Sequence, residues 1–100
     1  MPRITASQVK NMLEKNKETM ILDVRSEQEY ATGRIPGAIL LSEHTVRSKA
    51  EVICKNKQVP IIVYCRSGIR SKSAARQLEG LGYEKVYDLG GILDWPYELE

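Results

Sequence analysis

Ile61-Ile62-Val63-Tyr64-Cys65-Arg66-Ser67-Gly68-Ile69-Arg70 is the stretch on which the fold turns. Pro60 precedes a short apolar run with three β-branched residues, bounded on the far side by Gly68, which reads as a strand buried on both faces. Beyond the loop, Ala74, Ala75, Leu78 and Leu81 recur at helical spacing and predict a helix over about residues 71–81, ended by Gly82. A short strand follows at Lys85-Val86-Tyr87-Asp88, and Gly90-Gly91 reads as a turn leading to Trp95.

Upstream the same alternation repeats. Thr5-Ala6-Ser7-Gln8 has the form of a capping box, with Ile4 and Val9 placed as a hydrophobic staple. Val9, Met12 and Leu13 then continue at helical spacing. Met20-Ile21-Leu22-Asp23-Val24 reads as a buried strand, and Ser26-Glu27-Gln28-Glu29 as a second capping box, opening a short helix that Gly33 ends. Ala38-Ile39-Leu40-Leu41 is a further strand, and Ser42 is placed to cap a helix whose apolar face is Val46, Ala50, Ile53 and Cys54. Short apolar strands alternating with amphipathic helices define an α/β class, with a mainly parallel sheet covered on both faces. One hundred residues without repeat or low-complexity tract fit a single domain over residues 1–100.

The chain is 42% hydrophobic and 28% charged, as in soluble globular proteins. A net charge of +2 is too weak to point to nucleic acid or a membrane surface. No apolar run approaches the roughly 20 residues that span a bilayer, and Met1-Pro2-Arg3-Ile4-Thr5 lacks the apolar core of a signal peptide. The expected compartment is therefore the cytoplasm, where the two cysteines stay reduced. Cys54 and Cys65, eleven positions apart with His44 as the sole histidine, match no zinc spacing, so no metal is expected.

Chemistry concentrates at Cys65. In open α/β sheets ligands bind at the carboxyl ends of strands, and Cys65 stands at such an end, just ahead of a helix. Backbone N–H groups at a helix start have no intrahelical partners, and the helix dipole favours negative charge there. Gly68 permits backbone conformations in which several N–H groups converge as an anion nest. Such a field favours a thiolate, the nucleophilic form of cysteine. Arg66 and Arg70 add positive charge, with Lys72 and Arg76 on the helix behind them. Cys54, on the apolar stripe of its helix, reads as core, and His44 as a surface or boundary residue.

Three motifs resemble the rhodanese family, in order and across residues 4–95. Asp23-Val24-Arg25, Glu29-Tyr30 and Gly33-Arg34-Ile35-Pro36-Gly37-Ala38 resemble its amino-terminal signature. Cys65-Arg66-Ser67-Gly68-Ile69-Arg70-Ser71 resembles its active-site loop, and Gly90-Gly91-Ile92-Leu93-Asp94-Trp95 its carboxy-terminal signature. The resemblance implies a five-stranded, mainly parallel sheet with helices on both faces. It implies transfer of sulfane sulfur through a Cys65 persulfide, from an anionic donor such as thiosulfate to cyanide, a thiol or a protein, without cofactor, nucleic acid or membrane. Arg66, Ser67, Gly68, Ile69, Arg70 and Ser71 would bind the substrate: backbone N–H groups hold the persulfide, the arginines orient the anion, and Ser67 and Ser71 donate hydroxyl hydrogen bonds. Arg34 stands where family members commonly have His, away from the loop. A basic residue at the position of Arg66 resembles the thiosulfate-using branch. Asp23 and Arg25 are expected to pair with other polar groups and hold the loops, Tyr30 to pack on the sheet, and Trp95 to anchor the core or its edge.

Other functions are open to the same chain. Cysteine phosphatases and arsenate reductases share the fold but need five residues between Cys and Arg, and Cys65 and Arg70 have four between them. A phosphoryl centre with three outward oxygens needs a wider ring of N–H groups than one sulfur atom. A non-catalytic interaction module typically lacks the cysteine or glycine kept here. A persulfide carrier serving a partner protein would look the same in sequence.

Overall fold

A computed structural model describes residues 2–100; Met1 lies outside the described residues. Four strands run in the order β2-β1-β3-β4, all parallel: β1 Met20–Asp23, β2 Ile39–Leu40, β3 Ile61–Cys65 and β4 Val86–Gly91. The helices are α1 Ala6–Lys15, α2 Glu27–Ala31, α3 Val46–Ile53 and α4 Ile69–Gly80. Side-chain alternation along β3 divides the interior in two. Ile61, Val63 and Cys65 join Val46 and Ala50 of α3 and Ala74, Ala75 and Leu78 of α4 on one face. Ile62 and Tyr64 pack on the other face with Val9 of α1, Ile35 and Leu89. Every residue of β3 is buried, which is why its sequence is apolar without a polar alternate.

Both capping boxes form. The Thr5 hydroxyl accepts from Gln8 N and the Gln8 amide returns to Thr5 N; Ser26 and Glu29 repeat the exchange. Gly33 follows α2 with φ +146°.

Several boundaries differ from expectation. Among the described residues the sheet has four strands rather than five. The segment ahead of α1 contributes only an isolated parallel bridge, Arg3 to Asp88, because Pro2 has no N–H to donate and Thr5 already begins the helix. The second strand shortens from 38–41 to Ile39–Leu40. Ser42 caps no α-helix: a 3-10 turn at Glu43–Thr45 intervenes, and its hydroxyl donates to the Arg25 carbonyl instead. Gly90-Gly91 is not a turn but the end of β4, beyond a bulge: Val63 pairs with Asp88 and Tyr64 with Gly90, leaving Leu89 extra. Helix α4 begins at Ile69, two residues before the predicted start, so only Arg66, Ser67 and Gly68 separate it from Cys65.

Candidate active site

Cys65 closes β3, in register with Gly91 of β4, and is 1% exposed. The chain reverses at once into α4. Gly68 is the residue before that helix, with φ +109° and ψ −9°, a conformation that L side chains rarely adopt. Its N–H donates to Cys65 Sγ at 3.0 Å. Gly68 has no side chain with which to cap α4, so no side chain takes up the first-turn N–H groups. The sulfur thus sits at the positive end of a twelve-residue helix, with one amide already aimed at it.

Three supports fix the loop. From below, a Cβ on Gly91 would collide with the Arg66 carbonyl oxygen and lie 3.0 Å from Ser67 Cα, so the loop rests directly on glycine backbone. From the helix side, the buried Asp88 carboxylate accepts from Ser71 Oγ at 2.8 Å and from Gly90 N at 2.9 Å, joining α4 to the bulge in β4. From the flank, Arg70 makes a bidentate pair with Glu29 of α2: Nη1 to Oε1 at 2.6 Å and Nη2 to Oε2 at 2.9 Å. Arg70 first, and the Ser26 amide second, hold the Glu29 carboxyl down at about 2. The same pair raises the Arg70 guanidinium above its usual value, with smaller contributions from the charges of Cys65 and Asp23.

The sequence-chosen residues converge, though not all in their expected roles. Arg66 and Ser67 are exposed beside the mouth, and Ile69 is 80% exposed. The Gly68 N–H points at sulfur. Arg70 has two of its donors committed to Glu29. The Ser71 hydroxyl is buried and directed at Asp88, with the Gly68 carbonyl also within 3.0 Å, so it braces the loop. Sequence reasoning missed Glu29, Asp88 and Gly91 as supports. An aspartate inside a strand, between Tyr87 and Leu89, was the available signal for Asp88; Glu29 was hidden by its evident job in the capping box.

The other residues singled out in the sequence lie around this loop and in the core. Asp23 and Arg25 form a buried ion pair at 2.7 Å, and Arg25 also reaches the Gly33 carbonyl at 2.6 Å. The Tyr30 hydroxyl donates to the Ala38 carbonyl at 2.6 Å, and Tyr30 and Trp95 pack against the core beneath α1. Cys54 is buried in the α3–α4 face, where burial pushes its thiol up to about 11. His44 is exposed. Among the described residues no group of three or more His, Cys, Asp or Glu could hold a metal ion, and no helix is long and apolar enough to cross a membrane.

Comparison with known proteins agrees with this geometry. The model of the rhodanese-like domain matches residues 5–97. A sulfurtransferase of Allochromatium vinosum is 34% identical over 93 residues, covering 92% of this chain and 85% of that protein. A tRNA uridine(34) hydroxylase of Photorhabdus laumondii is 34% identical over 97 residues, covering 92% of this chain but only 27% of that protein. The crystal structure of a rhodanese-like domain protein from Staphylococcus aureus superposes with a TM-score of 0.85 at 35% identity, covering 100% of this chain and 97% of that one. The match takes in every strand, the cysteine loop and all three of its supports, and the chain belongs to the rhodanese-like domain family.

Proposed function

We propose that this protein is a sulfurtransferase that takes sulfane sulfur from thiosulfate or a similar anionic donor onto Cys65. The observation that carries the proposal is the Gly68 N–H on Cys65 Sγ at 3.0 Å, at the uncapped start of α4. The Cys65 thiolate attacks the outer sulfur of thiosulfate. An S–S bond forms to Cys65, the donor's own S–S bond breaks, and sulfite leaves with the electron pair. The product is a Cys65 persulfide, Sγ–S⁻, whose charge lies in the field of the helix start. Sulfur is conserved in oxidation state, so no external oxidant or cofactor enters.

The outer persulfide sulfur stands about 2 Å beyond Sγ. It is therefore the atom offered to an acceptor, cyanide or a thiolate, while Sγ stays buried. Arg66, exposed at the mouth, meets a doubly negative donor with a planar guanidinium suited to oxyanions. Three loop residues before the helix and four between Cys65 and Arg70 make a cup for one sulfur atom rather than for a phosphoryl group. Both cysteines are free, which suits a reducing cytoplasm.

Intact mass spectrometry tests the proposal. After incubation with thiosulfate and desalting, the protein gains one sulfur atom, which cyanide removes. Cys65→Ser gains none, and Cys54→Ser gains as much as the parent. An unchanged parent mass, accompanied by phosphatase turnover, would overturn it.

A further inference from the structure

Between α3 and α4, away from the cysteine loop, lies a cleft of about 430 Å³ lined by Arg47, Ser73, Arg76, Gln77, Gly80 and Leu81. Arg47 of α3 and Arg76 of α4 both line it, and no carboxylate does. Like charges held together in a recess are unfavourable alone and become favourable when an anion enters. The polar groups are already arranged, since Gln77 Nε2 donates to Ser73 Oγ at 3.2 Å.

The cleft and the Cys65 loop share helix α4, which runs from one to the other. Ile69, Lys72 and Arg76 fall at i, i+3 and i+7 of α4, and all three are exposed. At 1.5 Å per residue, Arg76 lies about 10 Å down the axis from Ile69. An extended peptide covers that span in about three residues, at roughly 3.3–3.6 Å each. A compact anion such as thiosulfate needs only the mouth; a track with an apolar side chain at its head and cations behind fits a chain.

Building on the sulfurtransferase function proposed above, we infer that the acceptor of the Cys65 sulfur is a protein whose accepting cysteine is followed, about three to five positions on, by acidic residues that dock between Arg47 and Arg76. Its cysteine thiolate attacks the outer sulfur of the Cys65 persulfide. The Cys65 S–S bond breaks, its electron pair returns to Sγ as thiolate, and the partner leaves as the persulfide, its thiol proton having gone to solvent.

The test loads the protein with thiosulfate, desalts it, and follows loss of the added sulfur to two synthetic peptides, Cys-Gly-Gly-Glu-Glu-Glu and Cys-Gly-Gly-Gln-Gln-Gln. At low ionic strength and subsaturating peptide, the acidic peptide discharges the protein about three- to tenfold faster, the scale of two exposed ion pairs. The advantage disappears in about 0.5 M salt and in the Arg47→Ala/Arg76→Ala double variant, which the two peptides discharge at equal rates. Equal rates for the two peptides, or an advantage that the double variant keeps, overturn the inference. Coenzyme A outpacing the acidic peptide in the parent but not in the double variant would assign the cleft to phosphate and also overturn it. A titration with Ser-Gly-Gly-Glu-Glu-Glu, followed at the Ser73 and Gln77 amides by NMR, reads docking without chemistry. If Cys65 takes up no sulfur but those amides shift in the parent and not in the double variant, the sulfurtransferase proposal fails and the docking site stands. If they stay still, the docking site is wrong.

Discussion

At the scale of single residues, the height of the sulfur cup is set by a residue that has no side chain. Gly91 pairs with Cys65 across the sheet and lies under the Arg66–Ser67 backbone. A methyl group there meets main chain, which cannot swing aside as a flexible side chain would. Gly91→Ala is therefore expected to lift the loop and tilt the Gly68 N–H away from Cys65. Sulfur uptake from thiosulfate, read by intact mass against time, should fall at least about tenfold, and stability by about 1–3 kcal/mol as for other overpacked sites. Uptake at the parental rate would show that the loop does not rest on Gly91. Sequence alone marked this glycine as a turn former; its actual duty arises from a bulge that brings β4 against a loop twenty-odd positions away.

Among elements, the informative contact is the one from α2 to α4. Glu29 serves both as the last residue of a capping box and as the anchor for Arg70. Glutamine can keep the first duty, since its amide oxygen still accepts from Ser26 N, so Glu29→Gln isolates the second. The pH dependence follows from the carboxyl's position at about 2, below its ordinary value of 4.5. Between those pH values the unfolded chain binds more protons than the folded one. The stabilisation is accordingly complete above about pH 4.5 and is lost as pH falls through about 2. Denaturant titrations at neutral pH should find Glu29→Gln weaker by about 1 kcal/mol, the scale of a partly exposed pair. The gap between parent and variant should close across that acid window. A gap of constant size from pH 7 to 2 would show that the ion pair does not carry the difference.

Over the whole molecule, a buried polar network ties the sheet to the segment beyond α2. The Tyr64 hydroxyl donates to Asp23 Oδ2 at 2.6 Å and accepts from Ile35 N at 3.1 Å, while Arg25 completes the Asp23 carboxylate. Burial first, and the neighbouring Asp23 second, push the Tyr64 phenol above its ordinary value. Tyr64→Phe keeps the ring but strands the buried Ile35 N–H and removes one donor from Asp23. The expected loss is about 1–3 kcal/mol, measured as a shift in denaturation midpoint. A shift near zero would mean that water or a small backbone movement replaces the hydroxyl.

Local sequence was enough for the α/β class, both capping boxes, the β3 strand, the place of Cys65 at a strand end and the burial of Cys54. Each is dictated within a few residues, by capping groups, apolar runs and glycine spacing. The missing fifth strand, the bulge at Leu89, the early start of α4, and the tasks of Glu29, Asp88, Gly91 and Ser71 were not legible. Each depends on which backbone lies beside which once the strands pair, and the partners are far apart in the chain: Glu29 with Arg70, Ser71 with Asp88, Cys65 with Gly91. The sequence by itself determined where the Cys65 sulfur stands, because a strand end, a glycine and a helix start are local properties. Only the tertiary structure decided what holds the cup around it, because hydrogen bonds and close packing between distant segments exist only after the sheet has assembled.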